Sequence, residues 1–160
     1  MDKTKFQILF YYYRLLHPAV TVSAQIPLAQ AVLESANFTS NVFKTNNNCM
    51  GMGIPSVREF LGTNKGQKGF AKYDSAADGV ADYVLFLDQL GLHTDEKLTA
   101  YIAAGKYGAD KQYLAKVQKG IAALNASGSY ISPTAIAAGA TAAAVAAALG
   151  LGYVFTKVIG

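Results

Sequence analysis

The sequence predicts an α+β domain, mostly helical with a small β-hairpin lobe, followed by a C-terminal apolar helix. Three observations carry this. Apolar residues recur at helical spacing in several separate stretches. That period is lost between Thr39 and Tyr73, where Asn, Gly and Lys dominate. After Lys119 no charged residue occurs until Lys157.

The first helix is expected over roughly Lys5 to Leu16, amphipathic and ended by His17-Pro18. Arg14 and the Tyr triplet make this segment a poor export signal, and no small-residue cleavage site follows closely, so no cleavable signal is expected. A second helix covers "PLAQAVLES", with Pro27 in its first turn and Asn37 as its stop. "SVREFLG" and "KGFAKY" around the polar "TNKGQ" read as the two strands of a hairpin. "DSAADGVADYVLFLDQLG" returns to helical spacing, with Asp74 as N-cap and Val80, Tyr83, Val84 and Leu87 as its apolar stripe. Further helices are expected over about Asp95 to Ala104 and Asp110 to Leu124.

The organisation that follows is a domain over 1–125, a short flexible linker at 126–133, and an apolar helix over 134–156. That helix is 23 residues, long enough to cross a bilayer, with Pro133 at its start and Tyr153 and Lys157 as interfacial anchors. Ala and Gly dominate it, so its insertion energy is marginal. Pairs such as Gly139 with Ala143 and Ala146 with Gly150 permit close packing on a partner helix. The segment is therefore either a membrane span or a helix buried in an assembly.

Of the 160 residues, 52% are hydrophobic and 15% charged, with a net charge of +4. The positive balance suits a polyanionic neighbour: nucleic acid, anionic lipid or a bacterial wall polymer. No basic run interleaved with aromatics occurs, so no nucleic-acid partner is expected. The single cysteine, Cys49, excludes an intrachain disulfide and reads as a small buried hydrophobe. His17 and His93 stand far apart without a ligand pattern and read as surface or helix-end residues. No metal site or cofactor is expected. Two N-x-[ST] sequons, at Asn37 and Asn125, matter only in a eukaryotic secretory setting.

Glu34 is the candidate for chemistry, and taken alone it could equally be a solvated helix end. Leu28, Ala31, Val32 and Ser35 define the buried face of its helix, and Glu34 lies off that face in the last turn. There a carboxylate meets the negative end of the helix dipole, which disfavours its charged form. A carboxyl group with a raised pKa is what a general acid needs.

Four motifs in order extend this reading. "LAQAVLES" (28–35) carries Glu34, "NNCMGM" (47–52) follows, "FAKYDSAADGVADYVLFL" follows the hairpin, and "YGADKQYLAKV" (107–117) comes last. In this order and spacing they resemble glycoside hydrolase family 73, the N-acetylglucosaminidase family of peptidoglycan hydrolases that includes the flagellar rod hydrolase and many autolysins. The resemblance covers about residues 20–120. Met50 stands where the family usually has an aromatic, and Ala36-Asn37 stands where it often has a Gly-Trp pair.

The resemblance implies a lysozyme-like fold and cleavage of the β-1,4 glycan strand of peptidoglycan, with Glu34 as the catalytic acid. It implies a second acidic residue from the β-lobe. Glu59, the acidic residue between Cys49 and Lys72, is then the water-activating base, or an electrostatic stabiliser if the substrate's N-acetyl group takes part; its bland alternative is an exposed strand residue. Tyr107 and Tyr113 match the family's late tyrosines, which hydrogen-bond sugar or carboxyl; packing is the alternative. Asn47 and Asn48 can build a self-bonded turn that holds the cleft, or can touch sugar directly. Gly51 and Gly53 let the backbone approach a partner closely. A lytic transglycosylase, or a structural virion component with an inactive wall-binding domain, are the rival readings. Lys106, Lys111, Lys116 and Lys119 precede the apolar helix and only Lys157 follows it, which argues for a domain kept on the inner side of a membrane. Its substrate lies outside. The conflict disappears for a bacteriophage particle whose internal membrane or tail assembly, with other virion proteins, holds the helix and meets the wall from outside.

Overall fold

The computed structural model describes residues 1–66, 69–108 and 110–132. Helix α1 (Lys3–Leu16) starts at Asp2, whose carboxylate accepts from Lys5 N at 2.8 Å. It buries Phe6, Leu9 and Phe10, so the apolar N-terminal stretch is a core element of the domain. Helix α2 (Gln25–Glu34) is the central element: Leu28, Ala29, Gln30 and Ala31 are all buried. It packs on α6 (Tyr113–Ala126), where Gly120 stands over Ala29 at a distance that leaves a β-carbon only 3.3 Å from the Ala29 methyl. Helix α1 packs on α4 (Ala76–Gln89), and α5 (Asp95–Ala103) packs on α6.

The helical reading holds for these elements, with local corrections. The N-cap of α4 is Ser75, not Asp74, because Ser75 and Asp78 form a reciprocal capping box. Helix α6 begins at Tyr113 rather than near Asp110, since Asp110 uses its carboxylate to hold the preceding turn through Gln112 N. A short helix unexpected from periodicity, α3 (Asn41–Asn46), is capped by Ser40 and closed by Asn47 in a left-handed conformation, φ 54°. Six residues are too few to express a helical period.

The hairpin is the larger correction. Among the described residues the protein is helical, with two isolated antiparallel bridges, Gly53 with Phe70 and Thr63 with Lys72. The stretch expected as the first strand is a series of bends. Val57 is 97% exposed, so the stretch has no alternating apolar face to bury against the core. Asp82 of α4 organises it instead. Its buried carboxylate takes Arg58 Nη1 at 3.1 Å and Nη2 at 2.8 Å, Leu61 N at 2.9 Å and the Tyr73 hydroxyl at 2.8 Å. One buried anion thus does for this lobe what ladder hydrogen bonds do for a hairpin.

The tail leaves the domain along α1. Gln7, itself buried, donates to the Ser129 carbonyl at 3.0 Å and accepts from Ile131 N at 2.7 Å, and the Tyr11 and Tyr130 hydroxyls lie 3.2 Å apart. Up to Ile131 the expected flexible linker is therefore tied down. The apolar helix expected over 134–156 lies outside the described residues. Among the described residues no helix is long and apolar enough to cross a membrane.

Candidate active site

Glu34 is the last residue of α2, half-buried, in a depression of about 310 Å³ lined also by Leu33, Gly108, Asp110, Tyr113 and Lys116. Burial raises its pKa above the ordinary carboxyl value, and a hydrogen bond from Tyr113 opposes this by favouring the ionised form. The end of α2 acts in the same direction as burial.

Backbone from the second motif closes over the carboxyl. Gly51 adopts φ +63°, and a β-carbon there would lie 2.5 Å from Glu34 Oε2. The motif's glycine thus makes room for the acid. Gly53, by contrast, faces open space. Met50 is fully buried, and its carbonyl accepts from the Tyr107 hydroxyl at 2.8 Å.

The two asparagines hold this turn from inside. Asn48 is buried, donates to the carbonyls of Met52 and Ala71 at 2.8 and 2.9 Å, and accepts from Met52 N at 3.0 Å. Asn47 donates to the carbonyls of Tyr73 and Asp74, both at 3.0 Å. The amide hydrogens of both are committed to backbone.

The late tyrosines divide the work. Tyr107 and Tyr113 stack with centroids 5.6 Å apart, and of the two Tyr113 lines the depression with Glu34. Behind Tyr113 lies Gln30, fully buried one turn before Glu34; its Nε2 donates to the Tyr113 hydroxyl at 3.4 Å, and its Oε1 accepts from the Tyr83 hydroxyl at 2.7 Å. Burial pushes the Tyr113 phenol far above its ordinary value, with the Glu34 charge adding to the shift, so it stays protonated and able to donate.

Glu59 is exposed on the lobe, between Arg58 and Leu61, which are both fixed to Asp82. It does not line the depression that holds Glu34. Asp110 does. Its carboxylate pairs with Lys116 Nζ at 2.5 Å and accepts from Gln112 N, and both hold its pKa below the ordinary value. In the sequence Asp110 stands in a motif without a chemical role of its own; in the fold its carboxyl shares a depression with Glu34, and the two pKa values are shifted in opposite directions.

Beyond the acid, the chain turns through three consecutive left-handed residues, Ala36, Asn37 and Phe38, with φ of 49°, 56° and 62°. Ser35, fully buried, sustains this turn: its hydroxyl donates to the Ala31 carbonyl and accepts from Phe38 N at 2.7 Å. Cys49 is buried, which pushes its thiol up to about 12. The two histidines, distant in sequence, meet on Asp88 at 2.8 Å (His17 Nδ1) and 3.2 Å (His93 Nε2), joining the end of α1 to the end of α4. No group of three or more His, Cys, Asp or Glu side chains is placed to hold a metal ion among the described residues.

A family model described as Glucosaminidase, mannosyl-glycoprotein endo-beta-N-acetylglucosaminidase, matches residues 11–126. No curated protein and no solved structure matches the chain.

Proposed function

The chain belongs to the glucosaminidase family and is a glycoside hydrolase acting on peptidoglycan, and from that premise we propose that Glu34 is the general acid that protonates the leaving oxygen of the glycan strand in a lysozyme-like helical domain. The observation that carries this is the setting of Glu34: a half-buried carboxyl with a raised pKa, closed over by Gly51 and hydrogen-bonded by Tyr113, in an open depression. A carboxyl held protonated near the working pH transfers its proton as the glycosidic bond breaks. Tyr113 then donates to the carboxylate left behind, and the raised pKa of Glu34 favours taking a proton back from solvent for the next turnover.

Cleavage with water also needs a base or an electrostatic stabiliser. Glu59, carried by a lobe anchored to Asp82, is one candidate. Asp110 is the second reading, favoured because it lines the same depression as Glu34 and is held ionised by Lys116.

The deciding experiment is a peptidoglycan zymogram with mass analysis of the products, run on the wild type and on Glu34→Gln. Reducing N-acetylglucosamine ends from the wild type and a loss of about 10²–10⁴-fold in the variant support the assignment. Anhydro-sugar ends would make the enzyme a lytic transglycosylase, and near-wild-type lysis by the variant would sink the role of Glu34. Absence of lysis by the folded wild type would leave the wall-binding reading.

The enzyme acts, in this reading, from a bacteriophage particle, held by its 134–156 segment in an internal membrane or tail assembly and opening the host wall locally. The charge bias across that segment and its small-residue faces support the placement. A fragment ending at Ile131, which keeps the Gln7 contacts, should be soluble and lytic and should fail to enter membranes or particles. Partition of that fragment into membrane like the full chain would refute the anchor.

A further inference from the structure

We propose that Gln30 is a positioning residue for the glycosidase reaction: its buried amide turns the Tyr113 hydroxyl so that the hydroxyl hydrogen faces the Glu34 carboxyl. The inference rests on the reading of Glu34 as the general acid and adds the group that sets its hydrogen-bond partner.

A phenol hydroxyl has one hydrogen to give and lone pairs to accept with. Gln30 Nε2 can only donate, so at 3.4 Å it occupies a lone pair of the Tyr113 oxygen and leaves the hydrogen for Glu34. With the amide reversed, Tyr113 would donate to Gln30 Oε1 and would have no hydrogen for the acid. Tyr83 holds the other end of the amide: its hydroxyl donates to Gln30 Oε1 at 2.7 Å, shorter than the 3.4 Å between Gln30 Nε2 and the Tyr113 hydroxyl. The relay thus runs in one direction, Tyr83 to Gln30 to Tyr113 to Glu34.

Its placement supports a purpose beyond packing. Gln30 and Tyr83 are both fully buried, and Tyr113 is 6% exposed, so water does not compete for these bonds. A buried glutamine in the centre of an apolar helix is costly unless its amide is satisfied, and a leucine would fill the same core position without that demand. Gln30 lies four residues before Glu34 on one helix, which puts donor and acid one turn apart on a rigid element. The stacked Tyr107 ring holds Tyr113 against sliding, so rotation of the hydroxyl is the freedom left for Gln30 to set.

The experiment is the pH profile of kcat/KM on peptidoglycan for Gln30→Met, Tyr83→Phe, Tyr113→Phe and the Gln30→Met/Tyr113→Phe double variant. Thermal unfolding is recorded for each. The rate falls on the alkaline side as the acid loses its proton, and the Tyr113 bond favours the ionised form. Tyr113→Phe should therefore move the alkaline limb up by about one to two pH units, the worth of one hydrogen bond to a charged group. Gln30→Met leaves the Tyr113 hydroxyl in place but free to turn, so it should move the limb up by part of that, and in the Tyr113→Phe background it should move it no further. Tyr83→Phe should give a smaller shift in the same direction, and it carries the test if Gln30→Met fails to fold. An unmoved limb in folded Gln30→Met or, failing that variant, in Tyr83→Phe, overturns the proposal. So does a Gln30→Met shift that persists without the Tyr113 hydroxyl. Activity retained by Glu34→Gln would instead overturn the acid assignment itself, a separate outcome.

Discussion

The backbone of Gly51 faces the carboxyl of Glu34 so closely that a β-carbon at Gly51 would lie 2.5 Å from Glu34 Oε2, at a φ of +63° that L side chains rarely adopt. The acid and the glycine of the second motif are one unit, joined across the sequence by contact.

Gly51→Ala tests that unit. The methyl group must displace the carboxyl or the turn, and the left-handed backbone adds about 1–2 kcal/mol of strain. The expected outcome is a fall in kcat/KM of about 10²-fold, the cost of a displaced catalytic group, with a lowered Tm. Unchanged kinetics in the folded variant would show that the carboxyl does not occupy this position during turnover.

Glu34→Gln should stabilise the protein while disabling it, and only at higher pH. Burial raises the folded-state pKa of Glu34 above its unfolded value. A group shifted this way contributes stability that is fully present below the unfolded pKa and lost as pH rises through the folded one. The Tm of the variant should match the wild type in acid, near the ordinary Glu pKa and below, and exceed it at neutral pH. Equal Tm values at neutral pH would argue that the carboxyl is as comfortable charged here as in water.

The second carboxylate is separable by isosteric substitution. Glu59→Gln and Asp110→Asn each remove one charge and keep the shape, and Asp110→Asn keeps an oxygen for Gln112 N. The variant that touches the catalytic water or the sugar should lose activity in kcat/KM, by less than Glu34→Gln does. Wild-type activity from Glu59→Gln would return Glu59 to the exposed-loop reading.

Arg58→Met should destabilise by about 3 kcal/mol, because it leaves the buried Asp82 carboxylate without its cation. The Met stem keeps contact with the Phe86 ring, over which the guanidinium lies at 5.6 Å. Urea unfolding gives the number. A change below about 1 kcal/mol, the range of exposed ion pairs, would mean that water reaches Asp82 and the lobe is held by other means.

Ala36→Gly should add about 1 kcal/mol of stability, since Ala36 is held at φ 49° directly after Glu34-Ser35. This is where the chain departs from the glycine common at the corresponding place in similar enzymes. A destabilised variant would show that the Ala36 methyl makes contacts worth more than the strain.

The helices and the place of the acid follow from local sequence. Apolar spacing and caps act within one or two turns, so α1, α2, α4 and α5 were legible from their own residues, as was Glu34 at the end of α2. Four short motifs in order sufficed for the family. The lobe was misread because an Asn, Gly and Lys-rich stretch carries no period, and its order comes from Asp82, 24 residues beyond Arg58. The same holds inside the site. Gln30 is only a helix residue until packing brings it to Tyr113, 83 positions away, and Asp110 is only a turn residue until the fold sets it in the depression with Glu34. Which residue forms a helix is decided by neighbours along the chain; which buried polar group finds which partner is decided by the packing of α2 on α6 and of α1 on α4, which brings Tyr83 and Tyr113 to Gln30, because only the closed core excludes the water that would otherwise take each partner's place.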